Sequence, residues 1–148
     1  MKIEFTKDQF KNLIKLIYLG NWMINAFRTE DIVKEFEDLE GYIYSFAKEA
    51  GLDKYAIYDK ESKKYYPTSA LEEEVDQYID EYKDETFWEE LIYRLGGRDF
   101  VEKYGVEAIK KMTWEERIKK EHPFIEKYAD EFEKNGIANL VIKNKRST

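Results

Sequence analysis

Apolar residues recur at helical spacing along most of the chain, and short polar signals mark where the runs begin. Thr6-Lys7-Asp8-Gln9 is a capping box, which predicts the start of the first helix. One side of that helix is apolar on a helical wheel and is the predicted core face. Gly20 lies in the middle of this face, where it is expected to permit close approach of another helix. The predicted core face comprises Leu13, Leu16, Ile17, Gly20, Ile24 and Phe27.

The second helix carries the clearest helical pattern in the sequence. It is predicted to begin near residues 29–31 and to end at Gly51. Its apolar stripe advances by alternating fours and threes through Ile32, Phe36, Leu39, Ile43, Phe46 and Ala50. Periodicity fails from residue 52 to residue 68, where a hairpin around residues 59–62 and an irregular loop ending at Pro67 both stay open.

Three further capping signals predict a third, a fourth and a last helix. Gly96-Gly97 is expected to end the fourth helix, and a short helix is expected from 99 to 104. Pro123 is expected to break or kink the last helix, because proline removes a backbone donor. The three signals are Ser69-x-x-Glu72, Thr86-x-x-Glu89 and Thr113-x-x-Glu116.

The two ends of the chain carry the short β-type patterns. Residues 2–5 alternate between polar and apolar, and residues 138–143 form an apolar run. The sequence therefore predicts a mainly α fold, a compact bundle of five to six helices, to which pairing of the chain termini would add a small two-stranded sheet. We find no linker or internal repeat, so residues 1–148 are predicted to form a single helical domain.

Composition restricts the classes of function. The chain has no cysteine, which excludes cysteine nucleophiles, disulfides and thiolate metal sites. The longest apolar-rich stretch, residues 10–27, contains two lysines and three asparagines that would be costly in lipid. The first five residues are too short and too charged for a secretory signal. We expect a cytoplasmic protein with no membrane partner. The 39% of charged residues is typical of a heat-adapted prokaryote.

The charge is uneven along the chain. Residues 72–90 hold ten acids and one lysine, a charge of −9 within a total of −7, so the remainder carries +2. Such a run is expected to be a solvated helix face. The alternatives are a cation site or an acidic decoy that docks a basic nucleic-acid-binding partner.

The only histidine, His122, precedes Glu126 and Asp130 at helical spacing. A capping or packing role is favoured over catalysis, since Pro123 interrupts the helix and no metal-binding histidine motif is present. The sequence therefore predicts no catalytic residue, no metal site and no cofactor.

A second candidate cluster is an anion site at Arg94, Arg98 and Asp99. The neighbouring Gly96-Gly97 would supply backbone amides, and the guanidinium groups would bind a phosphate or carboxylate. The simpler interpretation is that these glycines end a helix and that Arg98 pairs with nearby acids.

The first helix carries the candidate site that we prefer, a ridge formed by Tyr18, Trp22 and Asn25. Aromatic side chains beside an amide are typical of interface hot spots. The ridge is either covered by another part of the chain, which we favour, or it binds a partner.

Three functional hypotheses remain at this stage. The leading one is a non-catalytic protein-interaction or regulatory module of a prokaryotic cytosol, which docks a protein partner or forms a homodimer. The alternatives are a small enzyme or ligand binder with the anion site near Arg94 and Arg98, and the acidic decoy. Nucleic acid is not an expected ligand: twelve tyrosines and three tryptophans offer stacking surfaces, but the net charge opposes phosphate binding.

Overall fold

Helices account for most of the chain in the computed structural model, which describes residues 2–142. The mainly α fold is confirmed: the described residues contain five α-helices and one small antiparallel sheet. The elements in chain order are α1 Lys7–Asn25, α2 Lys34–Tyr44, a 3-10 turn Asp53–Tyr55, β1 Ala56–Asp59, β2 Lys64–Pro67, α3 Ser69–Tyr104, α4 Val106–Lys110 and α5 Trp114–Asn135.

The sheet is a hairpin in the middle of the chain. Strands β1 and β2 pair with Ala56 opposite Pro67 and Asp59 opposite Lys64. The Asp59 carboxylate accepts a hydrogen bond from the Ser62 backbone N–H at 2.8 Å, which stabilises the turn. The hairpin alternative for residues 52–68 is therefore the right one.

The predicted sheet between the chain termini is wrong. Residues 2–6 form no strand, and residues 138–142 lie in turns and irregular backbone, while Lys143 lies outside the described residues. Four to six residues carry too little pattern to specify a pairing partner. The hairpin, by contrast, brings its two strands together through a short connection.

Helix α3 runs without interruption through two predicted breaks. The capping signal at Thr86 and the glycines at 96 and 97 all lie inside it. Gly96 faces α5 instead of ending a helix, since an added Cβ there would lie 3.2 Å from the Ile125 backbone nitrogen. Helix α5 likewise continues through Pro123, so the predicted break there is wrong too.

The chain divides into two compact units, one ending at Glu81 and the other beginning at Tyr82. A single domain over residues 1–148 stays a prediction. The first unit contains a cluster of buried side chains drawn from α1, α2, the hairpin region and the start of α3. Its members are Ile14, Tyr44, Ala47, Leu52, Tyr55, Leu71, Val75 and Ile79.

Helix α1 contacts this cluster through the side opposite to the one predicted. Ile14 is fully buried, and Tyr18 and Trp22 pack against the cluster from the same side. On the predicted core face, by contrast, Leu16 is 65% exposed and Phe27 is 74% exposed. The prediction was wrong because α1 is apolar on nearly all sides, and a helical wheel alone does not distinguish two apolar sides.

Helices α1 and α2 are antiparallel neighbours whose register is fixed by amide side chains of α1. The Val33 N–H donates to Asn25 Oδ1 at 2.9 Å, and Asn21 Nδ2 donates to Glu40 Oε2 at 2.7 Å.

In the second unit the C-terminal part of α3 packs against α5. Phe100 and Phe132 are buried there, and Trp88 lies 5.8 Å from Phe132 between ring centroids. Phe100 contacts Phe124 at 6.0 Å. These aromatic contacts hold the two helices in antiparallel register.

Glu74 on α3 makes polar contacts with four side chains, two on α1 and two in the 3-10 turn. Its carboxylate lies 2.8 Å from Lys15 Nζ and 3.0 Å from Lys54 Nζ, and it accepts a 2.7 Å hydrogen bond from the Tyr55 hydroxyl. Lys11 Nζ lies 3.1 Å away. Hydrogen bonds from Lys15, Tyr55, Lys54 and Lys11 hold the pKa of Glu74 well below its usual value.

Replacing Glu74 by Gln is therefore expected to lower the free energy of unfolding at neutral pH. The folded-state pKa is depressed, so the stability that the carboxylate contributes is present above the unfolded value of about 4.5 and is lost as the pH falls below it. Urea denaturation at several pH values should show the two proteins converging in acid. Glu73→Gln, a change at the exposed neighbour, is the control and should alter neither stability nor its pH dependence. A constant difference across the pH range would contradict the role given to Glu74.

Candidate functional site

The predicted ridge lies along one cavity of the first unit. Tyr18, Trp22 and Asn25 all line a cavity of about 270 Å³ beside α1. Tyr18 and Trp22 also pack against the buried cluster, so the ridge is partly an internal face. Asn25 Nδ2 donates to the Val33 carbonyl at 3.3 Å, and Asn25 Oδ1 accepts from the Val33 N–H. Asn25 thus joins α1 to the start of α2.

A chain of hydrogen bonds continues from Asn25 into the core. Asn25 Nδ2 donates to Asn21 Oδ1 at 2.7 Å, and Asn21 in turn donates to Glu40. The Tyr44 hydroxyl donates to the other Glu40 oxygen at 2.8 Å. Two neutral donors therefore hold a carboxylate that is only 8% exposed. Burial raises the pKa of Glu40, and the hydrogen bonds from Tyr44 and Asn21 partly offset that rise.

Sequence reasoning did not identify Asn21 or Glu40. The sequence did not show that Tyr44 and Ala47 are buried, since the predicted stripe of the second helix omits both. Once their burial is known, helical phase places the carboxylate of Glu40, four residues before Tyr44, on the same inner face. A charge at such a position needs hydrogen-bond donors, and asparagine residues on the neighbouring helix are suitable ones.

The cavity beside the ridge is suited to a positively charged group. Aromatic rings of Tyr18 and Trp22 and the carboxylates of Glu40 and Glu72 line it, and no lysine or arginine is among its described lining residues. Burial raises the pKa of Tyr18, and the charges of Glu72, Asp76 and Glu40 raise it further. A cation is favoured by ring faces and by carboxylates alike.

Both arginines of the predicted anion site are paired with acidic side chains of α3. Arg94 Nε lies 2.7 Å from Glu90, and Arg98 lies 2.7 Å from Asp99. The Asp99 carboxylate also accepts from Tyr128 at 2.6 Å and from Lys127 at 3.0 Å. Burial raises the pKa of Asp99, but these donors outweigh it and lower the value to about 2.

The backbone amides expected at the anion site are engaged elsewhere. Gly96 and Gly97 lie in the interior of α3, where N–H groups donate to helical carbonyls. The premise of a helix end at these glycines is wrong. Arg98 and Asp99 instead join α3 to α5, which is a structural role for the side chains predicted to bind an anion.

His122 lies on the exposed surface of α5. Its Nδ1 atom is 3.6 Å from Glu126, and Asp130 pairs with Lys134 at 3.9 Å. Within residues 2–142, no group of three or more histidine or acidic side chains is arranged to hold a metal ion. The acids of residues 72–90 are exposed except for Glu72 and Glu74, which are half-buried.

A large apolar surface remains on the first unit, and we name it the outer face. It consists of the exposed side of α1 together with the stripe of α2 and its flanking residues. The two helices are in contact, and a groove of about 860 Å³ beside them runs past Leu13, Ile43 and Phe46. The outer face comprises Leu13, Leu16, Ile17, Gly20, Met23, Ile24, Phe27, Ile32, Phe36, Leu39 and Phe46.

Comparisons with known proteins add no family and no relative. None of the helices described for residues 2–142 combines the length and the apolar character that a membrane crossing requires. The chain matches no protein-family model, no curated protein and no solved structure in the three comparisons made.

Proposed function

We propose that this chain is a non-catalytic protein-interaction module that binds its partner through the outer face. One observation carries the proposal: the apolar stripes of α1 and α2 lie on a surface that no other described segment of the first unit covers. Leu16 and Met23 are 65% and 53% exposed on α1, and Phe27, just beyond its end, is 74% exposed. On α2, Phe36 and Leu39 are 39% and 44% exposed.

The extent of the outer face supports a binding role. At about 200 Å² for a large apolar side chain, its seven most exposed members present on the order of 700 Å². The largest apolar patch of a typical soluble monomer is about 300–600 Å² and is often functional. The outer face therefore exceeds what a chain without a partner usually leaves in contact with water.

The composition supports a cytosolic location for this module. A cysteine-free, highly charged chain is suited to the cytosol of a prokaryote, where thiols stay reduced and disulfides are rare. We therefore place the module in that compartment.

A photo-reactive amino acid at position 16 tests the proposal in cells that express the chain. We expect irradiation to yield adducts of defined mass from position 16, because that side chain is in the centre of the exposed stripe. The same photo-reactive residue at Lys119, an exposed residue of α5, is the control and should yield none.

Competition establishes that these adducts depend on the outer face. An adduct to a different protein should be suppressed by an excess of the unmodified chain and not by an excess of the Leu16→Glu chain, whereas an adduct with the mass of two copies should persist because the unmodified chain is then itself the partner. Equal adducts from positions 16 and 119, or none from position 16, would overturn the proposed function.

A further inference from the structure

The apolar positions on the exposed side of α1 are spaced symmetrically about Gly20. We infer that the partner of the outer face is a second copy of this chain, with the two α1 helices antiparallel and crossing at Gly20. This inference rests on the proposed function and names its partner. Four features of the outer face carry it: its spacing, its glycine, its lack of charge and its size.

The spacing of the apolar positions is symmetric about Gly20. Leu13 and Phe27 lie seven residues to either side of it, Leu16 and Ile24 four, and Ile17 and Met23 three. In an antiparallel pair centred on Gly20, each apolar residue of one copy therefore meets an apolar residue of the other. A two-fold interface requires this self-complementarity, because each surface contacts its own equivalent.

Four of these positions, together with Gly20, follow the repeat of a helix–helix seam. Leu13, Leu16, Gly20, Met23 and Phe27 advance by alternating threes and fours, the spacing that keeps an apolar stripe facing a neighbouring helix. A strict repeat of this kind gives a crossing angle of about 20°. The occupant that this geometry fits is therefore another helix.

Gly20 has no role that the chain's own packing explains. A Cβ added there would meet no atom within 4 Å, so the residue is not required by a neighbour inside the described chain. Its backbone lies in the regular helix α1 and is not at a positive φ angle. Glycine in the middle of a helix is destabilising, but at a crossing point it lets two backbones approach closely. Close approach of a second α1 helix explains why glycine occupies this position.

The outer face also allows two acidic chains to meet. Every one of its members is uncharged, and so are neighbouring Asn12 and Leu19 on α1 and Ala26 at its C-terminal end. The guanidinium of Arg28, which lies 4.9 Å from the Phe27 ring, is paired with Asp31. Two copies of a chain with a net charge of −7 can therefore associate there without direct contact between like charges.

The size of the outer face matches what a stable dimer needs. The exposed apolar side chains present on the order of 700 Å² per copy. A standard stable interface buries about 800 Å² per partner. Rim residues such as Tyr42, which is 60% exposed, add to that area.

The first experiment measures the mass of the purified full chain in solution. Sedimentation equilibrium at micromolar concentrations should give twice the chain mass of 17.9 kDa. Leu16→Glu should raise the dissociation constant of the dimer by at least about 100-fold, because it places a charge in an apolar seam. The matched control is Trp114→Glu in the second unit, which exchanges a 73% exposed apolar side chain and should leave the dimer intact. Loss of the dimer in this control would overturn the inference.

Gly20→Leu separates association from folding. The space around Gly20 is open within the chain, so the variant monomer should keep its helical circular dichroism and unfold at a midpoint no lower than that of the unchanged monomer, since losing a mid-helix glycine raises helix propensity. Two leucines at the crossing point should force the α1 helices apart and weaken the dimer by at least about tenfold. An unweakened dimer would contradict a crossing at Gly20.

Single cysteines determine the direction of the helices, since the chain has no cysteine of its own. Gly20→Cys should oxidise to a covalent dimer, because a residue on the two-fold axis meets its own equivalent. Leu13→Cys and Phe27→Cys should form a mixed disulfide with each other, while neither should pair with itself. Self-pairing of Leu13→Cys would show parallel helices and would overturn the inference.

The outcomes also distinguish this inference from the proposed function. A monomer at every concentration, together with adducts from position 16 to a different protein, overturns the second copy and leaves the interaction module standing. A dimer that Leu16→Glu does not dissociate overturns the inference on its own. A monomer without any adduct from position 16 overturns both.

Discussion

Gly96→Ala is expected to lower the free energy of unfolding by about 1–3 kcal/mol, the usual cost of overpacking a tight contact. The added Cβ would lie 2.5 Å from Ile125 Cδ1, a methyl group that can rotate away. It would also lie 3.2 Å and 3.3 Å from the Ile125 backbone nitrogen and Cα, which move only if α5 moves. The contact with the Ile125 backbone costs more free energy than the contact with Cδ1, because relieving it requires two packed helices to separate. Urea denaturation followed by fluorescence should report it, since Trp88 packs against Phe132 on the same pair of helices.

The adjacent glycine provides the matched control. At Gly97 the nearest atom to an added Cβ is Glu121 Oε1, at 4.0 Å. Gly97→Ala should therefore raise stability by about 0.5–1 kcal/mol, the gain in helix propensity over glycine. Ile125→Val, which removes Cδ1, should recover part of the loss in Gly96→Ala and show non-additive coupling with it. If the two alanine variants changed stability in the same direction, the close approach at Gly96 would be contradicted.

These two glycines show why element boundaries were harder to predict than element types. The helical period of α3 was visible in the sequence, but Gly96-Gly97 has the same local appearance whether it ends a helix or admits a neighbour. The deciding contact comes from Ile125, which is distant in sequence. The capping signal at Thr86 misled for a similar reason, because a threonine followed by a glutamate three residues later also occurs inside helices.

The buried side of α1 was not decided by the sequence either. Two apolar stripes share this helix, one through Ile14 and Tyr18 and one through Leu16 and Phe27. Both satisfy the helical period, and only the neighbouring elements select between them. The exposed stripe was predicted to lie in the core, so the sequence did not predict the outer face.

The sequence predicted a ridge and not a cavity, but it grouped three of the residues that line the cavity. Helical spacing correctly placed Tyr18, Trp22 and Asn25 along one line, and all three border the same cavity. Glu40 and Glu72 reach it from α2 and α3, and no spacing within α1 indicates those contributions. Residues that share a helix are thus predictable as a group, whereas the residues that complete a cavity depend on tertiary packing.

Tyr44→Phe is expected to destabilise the first unit by about 1–3 kcal/mol at neutral pH, the cost of leaving a buried polar group short of a partner. The phenylalanine ring retains the packing of Tyr44, which is fully buried, and only the hydroxyl that donates to Glu40 is lost. Glu40 then keeps one donor, Asn21, for a carboxylate that is almost entirely buried. Tyr78→Phe is the control at a 49% exposed tyrosine and should change stability little.

The pH dependence of this destabilisation identifies Glu40 as its cause. Burial raises the pKa of Glu40 in the folded chain, so the folded state retains a proton that the unfolded state releases. Stability linked to Glu40 is therefore full below the unfolded value of about 4.5 and declines as the pH rises through the folded value. Tyr44→Phe raises the folded value further, because it removes a donor to the charged form. The stability difference between the two proteins should grow as the pH rises, in urea denaturation between about pH 4 and pH 8. A difference that is the same across this range would mean that the Tyr44 hydroxyl acts independently of the Glu40 charge.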